Sequence, residues 1–288
     1  MKAEAERAAG FDHCILAVQS LQAAEARFRA AGFTVTPRGH HRSRGTQNAC
    51  IMFANGYIEL LGAAEDCRET FLLEFLGRGE GATAIAIDPP DIATAHDALQ
   101  GWGRASGPPV IGQRDLNGPD GPATVRFHVL RARDGTVVPG RLFFCKHLDR
   151  PLVFRPDWLV HDNGVTALRS VTIVAEPAMV IGAGRARRLG LAVEAGGAGQ
   201  SCLRAGDVSI EVLSRAALAA RGGAAPAPQP GRPLPQLVEI GLLASDPARA
   251  AAALAGAGMP ADPLPGGRGL RVPARHAFGV ALRIDAAG

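Results

Sequence analysis

Aromatic residues are scarce in this 288-residue chain, which holds 11 Phe, two Trp and a single tyrosine, Tyr57. Its arginines are scattered rather than gathered into a basic tract, and the net charge of +4 is small for the length. A nucleic-acid binder clusters its cations on one face with aromatics interleaved, so nucleic acid is excluded as the expected partner. Lysine is nearly absent beside arginine, which reads as base-composition bias before it reads as function. The five cysteines (Cys14, Cys50, Cys67, Cys145, Cys202) are odd in number, widely spaced and never paired as CxxC. That excludes a zinc ribbon and a disulfide framework. No run reaches the roughly 18–20 apolar residues that span a bilayer. The opening Met1-Lys2-Ala3-Glu4-Ala5-Glu6-Arg7 is acidic where a signal peptide is apolar. These absences lead us to expect a soluble protein of a reducing cytoplasm, without a membrane partner.

What is present is a repeat. Phe11-Asp12-His13-Cys14-Ile15-Leu16-Ala17-Val18 reads as a strand, Leu21 to Ala31 as an amphipathic helix, Gly32-Phe33-Thr34-Val35 as a second strand and Gly56-Tyr57-Ile58-Glu59-Leu60-Leu61 as the closing one. A second unit runs from Ala82-Thr83-Ala84-Ile85-Ala86-Ile87 through a helix capped by Asp91 to Arg141-Leu142-Phe143-Phe144-Cys145-Lys146-His147. A third opens at Leu168 to Ala175, places a helix from Glu176-Pro177, and closes at Asp207 to Leu213. The Gly-, Ala- and Pro-rich segment from Arg221 to Pro235 reads as a linker. A fourth, degenerate unit follows, with Asp246 and Pro247 starting its helix and Gly266-Gly267 in its shortened remainder. Units of this size cannot bury their apolar faces alone, so they must pair. Pairing is met by a homodimer or within one chain. The expected class is α+β, with tandem βαβββ units forming curved mixed sheets around a cup. The expected domains are 8–164 and 165–288.

The repeat order, the Asp12-His13 strand and Tyr57-Ile58-Glu59-Leu60 resemble the vicinal oxygen chelate superfamily, which includes glyoxalase I, extradiol dioxygenases and bleomycin-resistance proteins. Thr36 to His41, Gly45 to Asn48, Phe143 to Leu148 and Arg155 to Gly164 narrow the resemblance to bacterial glyoxalase-like domain proteins. The resemblance implies a divalent metal, Fe, Mn, Ni or Zn, held by the first and last strands of paired units. Carried over to this chain, the ligands are His13, Glu59 and His147; the opening strand of the second unit offers only Thr83 and alanines.

Around these, His41, Thr46 and Asn48 stand between the inner strands of the first unit. His161 and Asn163 stand in the connector after the second unit. His41 and His161 are the candidate acid/base groups; Thr46, Asn48 and Asn163 are candidate substrate-binding groups. Glu211 repeats Glu59, but Ser170 stands where the first unit has His13, so no second metal centre is expected. The implied function is a metal-dependent enzyme of the isomerase, lyase or dioxygenase kind, acting on a small oxygenated molecule through a stabilised enolate or chelated oxygens. The alternative is a non-catalytic binder or sequestration protein of the bleomycin-resistance type, for which the missing fourth ligand speaks.

Overall fold

A computed structural model describes residues 8–221, 225–264 and 269–287. The acidic start and Gly266-Gly267 fall outside the described residues. The first unit is β1 (Gly10–Ala17), α1 (Leu21–Ala30), β2 (Gly39–His41), β3 (Thr46–Phe53) and β4 (Gly56–Ala63). Helix α2 (Thr70–Leu76) leads to the second, β5 (Gly81–Asp88), α3 (Ile92–Gly101), β6 (Val110–Gly118), β7 (Gly121–Arg131) and β8 (Leu142–His147). Their strands close into one barrel in the order β1-β4-β3-β2-β6-β7-β8-β5. Pairing is therefore met within the chain.

After α4 (Arg150–Val153), the third unit is β9 (Val165–Val174), α5 (Ala183–Arg188), β10 (Ala192–Glu194), β11 (Gln200–Ala205) and β12 (Val208–Leu213). Helix α6 (Arg215–Ala220) precedes the fourth: β13 (Gln236–Ala244), α7 (Pro247–Gly256), β14 (Asp262–Pro263), β15 (Gly269–Val272) and β16 (Ala281–Ala286). These eight strands form a second sheet, β10-β11-β12-β9-β13-β16-β15-β14. The fourth unit keeps the whole element order, with β14 reduced to two residues.

Local chemistry explains the helix starts. Ser20, Asp91 and Asp246 each accept a hydrogen bond from the backbone N–H three residues on, satisfying one of the orphan donors of a first helical turn. Two expected elements are displaced. Gly32–Val35 is not a strand: the Thr34 N–H goes to His161 Nδ1 and its hydroxyl to the Val160 carbonyl, so this backbone serves the connector instead of a ladder. The third unit's helix starts at Ala183, not at Glu176-Pro177; the Glu176 carboxylate instead accepts the Arg215 N–H at 2.8 Å in the first turn of α6, whose N-cap is Ser214.

Strand alternation sorts the barrel residues between two cores. Ala49, Ile51 and Phe53 of β3 face outward into a hydrophobic core continuous with the second sheet. Phe28 of α1 is fully buried there, its ring 5.7 Å from Phe33 and 5.8 Å from Phe278. Such a side chain contributes about 2–3 kcal/mol and ties α1 to the second half. Cys50 and Met52 point inward, where they join Tyr57, Leu116, Val125, Val153 and Trp158 in a plug. The side chains of Val153 on α4 and Trp158 just beyond it thus fill one end of the barrel, and the cavity occupies the rest. Asn55, at the β3–β4 turn, donates to and accepts from the backbone of Leu168 (2.8 and 3.1 Å), joining the two sheets.

Candidate metal centre

Four of the five irregularities in the pairing of the opening strands register the repeats against one another. Between Phe11 and His13, β1 carries one residue more than its partner β5, so Asp12 is a bulge. Thr83 is the extra residue on β5, Arg169 on β9 and Val238 on β13. The residue after each bulge is His13, Ala84, Ser170 and Glu239. The second unit therefore presents an alanine where the first presents histidine, and the third a serine. The pairing of Thr172 with Glu211 repeats that of Ile15 with Glu59, so Glu211 is the counterpart of Glu59. Glu211 is taken up by Arg221 at 2.8 Å, and Glu239 by Arg271 at 2.6 Å.

The bulge turns both Asp12 and His13 toward the barrel. Asp12 Oδ1 lies 2.5 Å from His13 Nδ1, and His13 Nε2 lies 3.4 Å from Glu59 Oε2. A carboxylate only accepts, so Nδ1 carries a proton toward Asp12 and Nε2 is the ring nitrogen that faces Glu59. Two donors on one ion stand about 3.0–3.4 Å apart at metal–ligand distances of about 2.1 Å. The His13–Glu59 separation fits that without rearrangement. The Tyr57 ring stacks on His13, centroids 4.6 Å apart, and fixes the face of the imidazole.

Asp12 also reaches the last strand of the second unit: its Oδ2 lies 3.2 Å from His147 Nε2. Neither His147 ring nitrogen nor Asp12 Oδ2 makes an aligned hydrogen bond, so buried donor capacity remains unused here. Asp12, Cys145 and His147 bring ligand atoms within 4.8 Å of one another. Burial disfavours an ionised Asp12, but His147 and His13 outweigh it and hold the carboxyl well below its usual range. The Cys145 thiol is pushed well up by burial and by Asp12 and Glu59, and stays protonated.

His13, Glu59 and His147 line one cavity of about 940 Å³, its mouth included, together with His41, Thr46, Asn48 and Arg114. His41 and Thr46 pair across β2 and β3, with His41 Nδ1 3.1 Å from Thr46 Oγ1. Burial lowers His41 to about 4, helped by Arg114 and Arg44 and opposed by Glu59, so its ring is neutral at pH 7. Asn48 is on a strand, not in a turn: its Nδ2 donates to Glu59 Oε1 at 2.5 Å. For Glu59, burial is outweighed by His13, His41, Asn48 and Arg114, and the carboxyl falls below its ordinary value.

His161 and Asn163 lie outside this cavity. His161 accepts the Thr34 N–H at Nδ1 (3.0 Å) and donates to the Met52 carbonyl at Nε2 (3.0 Å), wedged against Phe33 and Phe53. Both ring nitrogens are spent on backbone. Asn163 donates to the Ala31 carbonyl beyond α1 and accepts from Val165 N–H. Both residues anchor the connector instead of closing the cup.

Two residues at this centre and its cavity, Asp12 and Arg114, stand out less in the sequence. Asp12 had a visible signal, an acid inside an apolar strand beside the histidine. Arg114 had almost none, because β6 is half polar and its register on β7 shows only in three dimensions.

A closed barrel of two βαβββ units around a histidine–carboxylate cavity defines the paired-unit class. Residues 11–183 match the family described as "Glyoxalase-like domain", and the chain belongs to it. Among solved structures, a hypothetical protein from Staphylococcus aureus matches with a TM-score of 0.64 at 13% identity, over 97% of this chain and all of that one. A triple mutant of 4-hydroxymandelate synthase from Streptomyces coelicolor matches at 0.59 and 11% identity, over 98% and 94% of the two chains. A fusion of a xylose isomerase-like TIM barrel with 4-hydroxyphenylpyruvate dioxygenase matches at 0.52 and 16% identity, over 98% of this chain and 50% of that one. At these identities the likeness establishes the fold. A search of curated proteins returns no match. Among the described residues, no helix is long and apolar enough to cross a membrane.

Proposed function

We propose that the N-terminal half, residues 8–164, is a metal-dependent enzymatic domain acting on a small oxygenated molecule. The observation that carries this reading is the 3.4 Å approach of His13 Nε2 to Glu59 Oε2 on a cavity wall, with His13 held in the ligating tautomer by Asp12. His147, with both ring nitrogens free of aligned hydrogen bonds, is the third ligand in this reading. Two imidazoles and one carboxylate suit Fe, Mn, Ni or Zn and leave positions open for substrate. A divalent ion held there supplies Lewis-acid polarisation of a substrate oxygen.

The chain's own residues do the rest. Asp12 orients the His13 imidazole, as carboxylates behind metal-binding histidines do, and its other oxygen lies 3.2 Å from His147 Nε2. Asn48 holds one Glu59 oxygen and leaves the other toward His13. His41, neutral and facing the same space, is the group able to accept a proton from bound substrate. Phe127 and Phe143 give the cavity wall apolar surface beside these groups. The occurrence of 4-hydroxymandelate synthase and a dioxygenase fusion on the same fold supports oxygenase chemistry as one branch of this reading.

Elemental analysis of protein purified without chelators tests the proposal. One equivalent of metal in wild type, absent from His13→Ala and Glu59→Ala, is the expected result. A wild-type protein that neither retains nor takes up Fe, Mn, Ni or Zn overturns it.

A further inference from the structure

The cavity holds a cation that nothing in the proposed metal centre uses. Arg114 projects from β6 into the barrel and is only 6% exposed. Among the described residues no carboxylate lies within ion-pairing distance of it. Its Nη1 touches Asn48 Oδ1 at 3.4 Å, a long contact, and Cys50 Sγ at 3.3 Å; both partners are neutral, and its Nε makes no hydrogen bond. A guanidinium stays charged in a protein, so burying one without a directly paired carboxylate is costly, and Glu59 answers its charge only at longer range. The fold nevertheless makes room for it. A Cβ on Gly39, the residue paired beside it on β2, would stand 2.4 Å from Arg114 Cδ and 2.6 Å from Asn48 Oδ1.

The charge of the surroundings points the same way. Arg44, Arg131 and Arg141 line the same cavity, against the carboxylates Glu59 and Glu69. Arg44 stands 3.7 Å from Glu69 and Arg141 stacks over Phe71, so two of these three are partly engaged. The balance at the wall is still four guanidinium groups to two carboxylates. A cavity of one predominant sign concentrates ligands of the other.

From this geometry we infer that Arg114 is the anion-binding residue of the cavity and that the substrate is a small organic acid whose carboxylate docks on its guanidinium. A guanidinium edge presents two parallel N–H donors, matched to the two oxygens of one carboxylate. One buried guanidinium balances one negative charge, which favours a carboxylate over a phosphate dianion. Val125, Phe127 and Val129 on β7 provide an apolar wall for the body of such an acid. Asn48 touches Arg114 through Oδ1 and Glu59 through Nδ2, so a single side-chain amide separates the anion subsite from the proposed metal ligands. An acid bound at Arg114 then carries its second oxygen toward His13 and Glu59. This assignment rests on the reading of that cavity as the active site, but Arg114 needs no metal to hold an anion.

The test is a calorimetric titration of chelator-treated and metal-reconstituted protein with benzoate, its neutral isostere benzamide, and inorganic phosphate. Wild type in both forms is expected to bind benzoate at least tenfold more tightly than benzamide. Arg114→Gln should lose that preference by about 10- to 100-fold. Arg114→Lys should keep the charge and part of the preference, while Gly39→Ala, which pushes the guanidinium aside without removing it, should lose most of it. Equal binding of benzoate and benzamide by wild type overturns the assignment, as does a full preference in an Arg114→Gln protein that melts like wild type. Phosphate binding tighter than benzoate overturns the carboxylate class. Should Arg114→Gln fail to fold, the wild-type comparison and Gly39→Ala still decide. A wild type that takes up no metal yet prefers benzoate defeats the metal reading alone.

Discussion

Replacing Asp12 by asparagine probes the centre at the point where its two strands meet. The substitution keeps the volume of a wholly buried side chain and removes its charge. In wild type, one carboxylate oxygen faces His13 Nδ1 at 2.5 Å and the other faces His147 Nε2 at 3.2 Å. An asparagine has one acceptor and one NH2 donor, so it cannot accept from both rings. Where the NH2 faces His13, Nδ1 must become the acceptor and the proton moves to Nε2, the nitrogen assigned to the ion. Where it faces His147, that ring suffers instead. Loss of such an orienting carboxylate lowers metal affinity about 10- to 100-fold, equivalent to about 1.4–2.8 kcal/mol. Competition titrations of metal-free protein with Zn²⁺ or Co²⁺ against a chelator of known affinity measure this directly, with thermal melts as the folding control. Affinity within twofold of wild type refutes the orienting role. If Asp12→Asn and Cys145→Ser both abolish binding while Glu59→Ala retains it, the ion is held by Asp12, Cys145 and His147 instead.

Three further outcomes follow from the same contacts. His161→Ala leaves the Thr34 N–H and Met52 carbonyl without partners and should cost about 1–3 kcal/mol of stability, with metal affinity unchanged; a variant that melts like wild type but loses metal would restore His161 to the site. His161 is held below its ordinary pKa by burial, so the unfolded chain binds the extra proton. Its contribution to stability is therefore complete above about pH 6.5 and declines as pH falls below that; the decline should be shallower in His161→Ala, as chemical denaturation at several pH values would show. Asn55→Ala removes both bonds to Leu168 and should lower stability by about 1–3 kcal/mol without altering metal uptake, whereas a change in metal uptake would mean that the second sheet shapes the cavity.

Much of the fold was legible because the repeat carries its own punctuation. Capping residues before α3 and α7, apolar opening strands and the echo of Glu59 in Glu211 all survive as local signals. That His13, Glu59 and His147 share one cavity was readable because each is ionisable within an apolar strand. The inner strands were harder. β3 is buried along nearly all its length and shows no alternation, so Thr46 and Asn48 read as turn residues although they are strand residues facing inward. The Asn55-Gly56 pair carries a hairpin signal, and with it Cys50 falls opposite Glu59. His161 and Asn163 misled for a different reason. Polar residues that bond only to backbone look, in one dimension, the same as polar residues awaiting a substrate.

The bulge at Asp12 has a consequence for redesign. Since β9 carries the same extra residue at Arg169, immediately before Ser170, the second sheet is a pre-shaped acceptor for a transplanted centre. Arg169→Asp with Ser170→His would set an Asp-His pair on the same kind of bulge, with Glu211 in place across the strand and Arg221 removed to release it. The same backbone mount occurs in both sheets of this chain, and side chains alone distinguish the one that carries Asp12 and His13 from the one that carries Arg169 and Ser170.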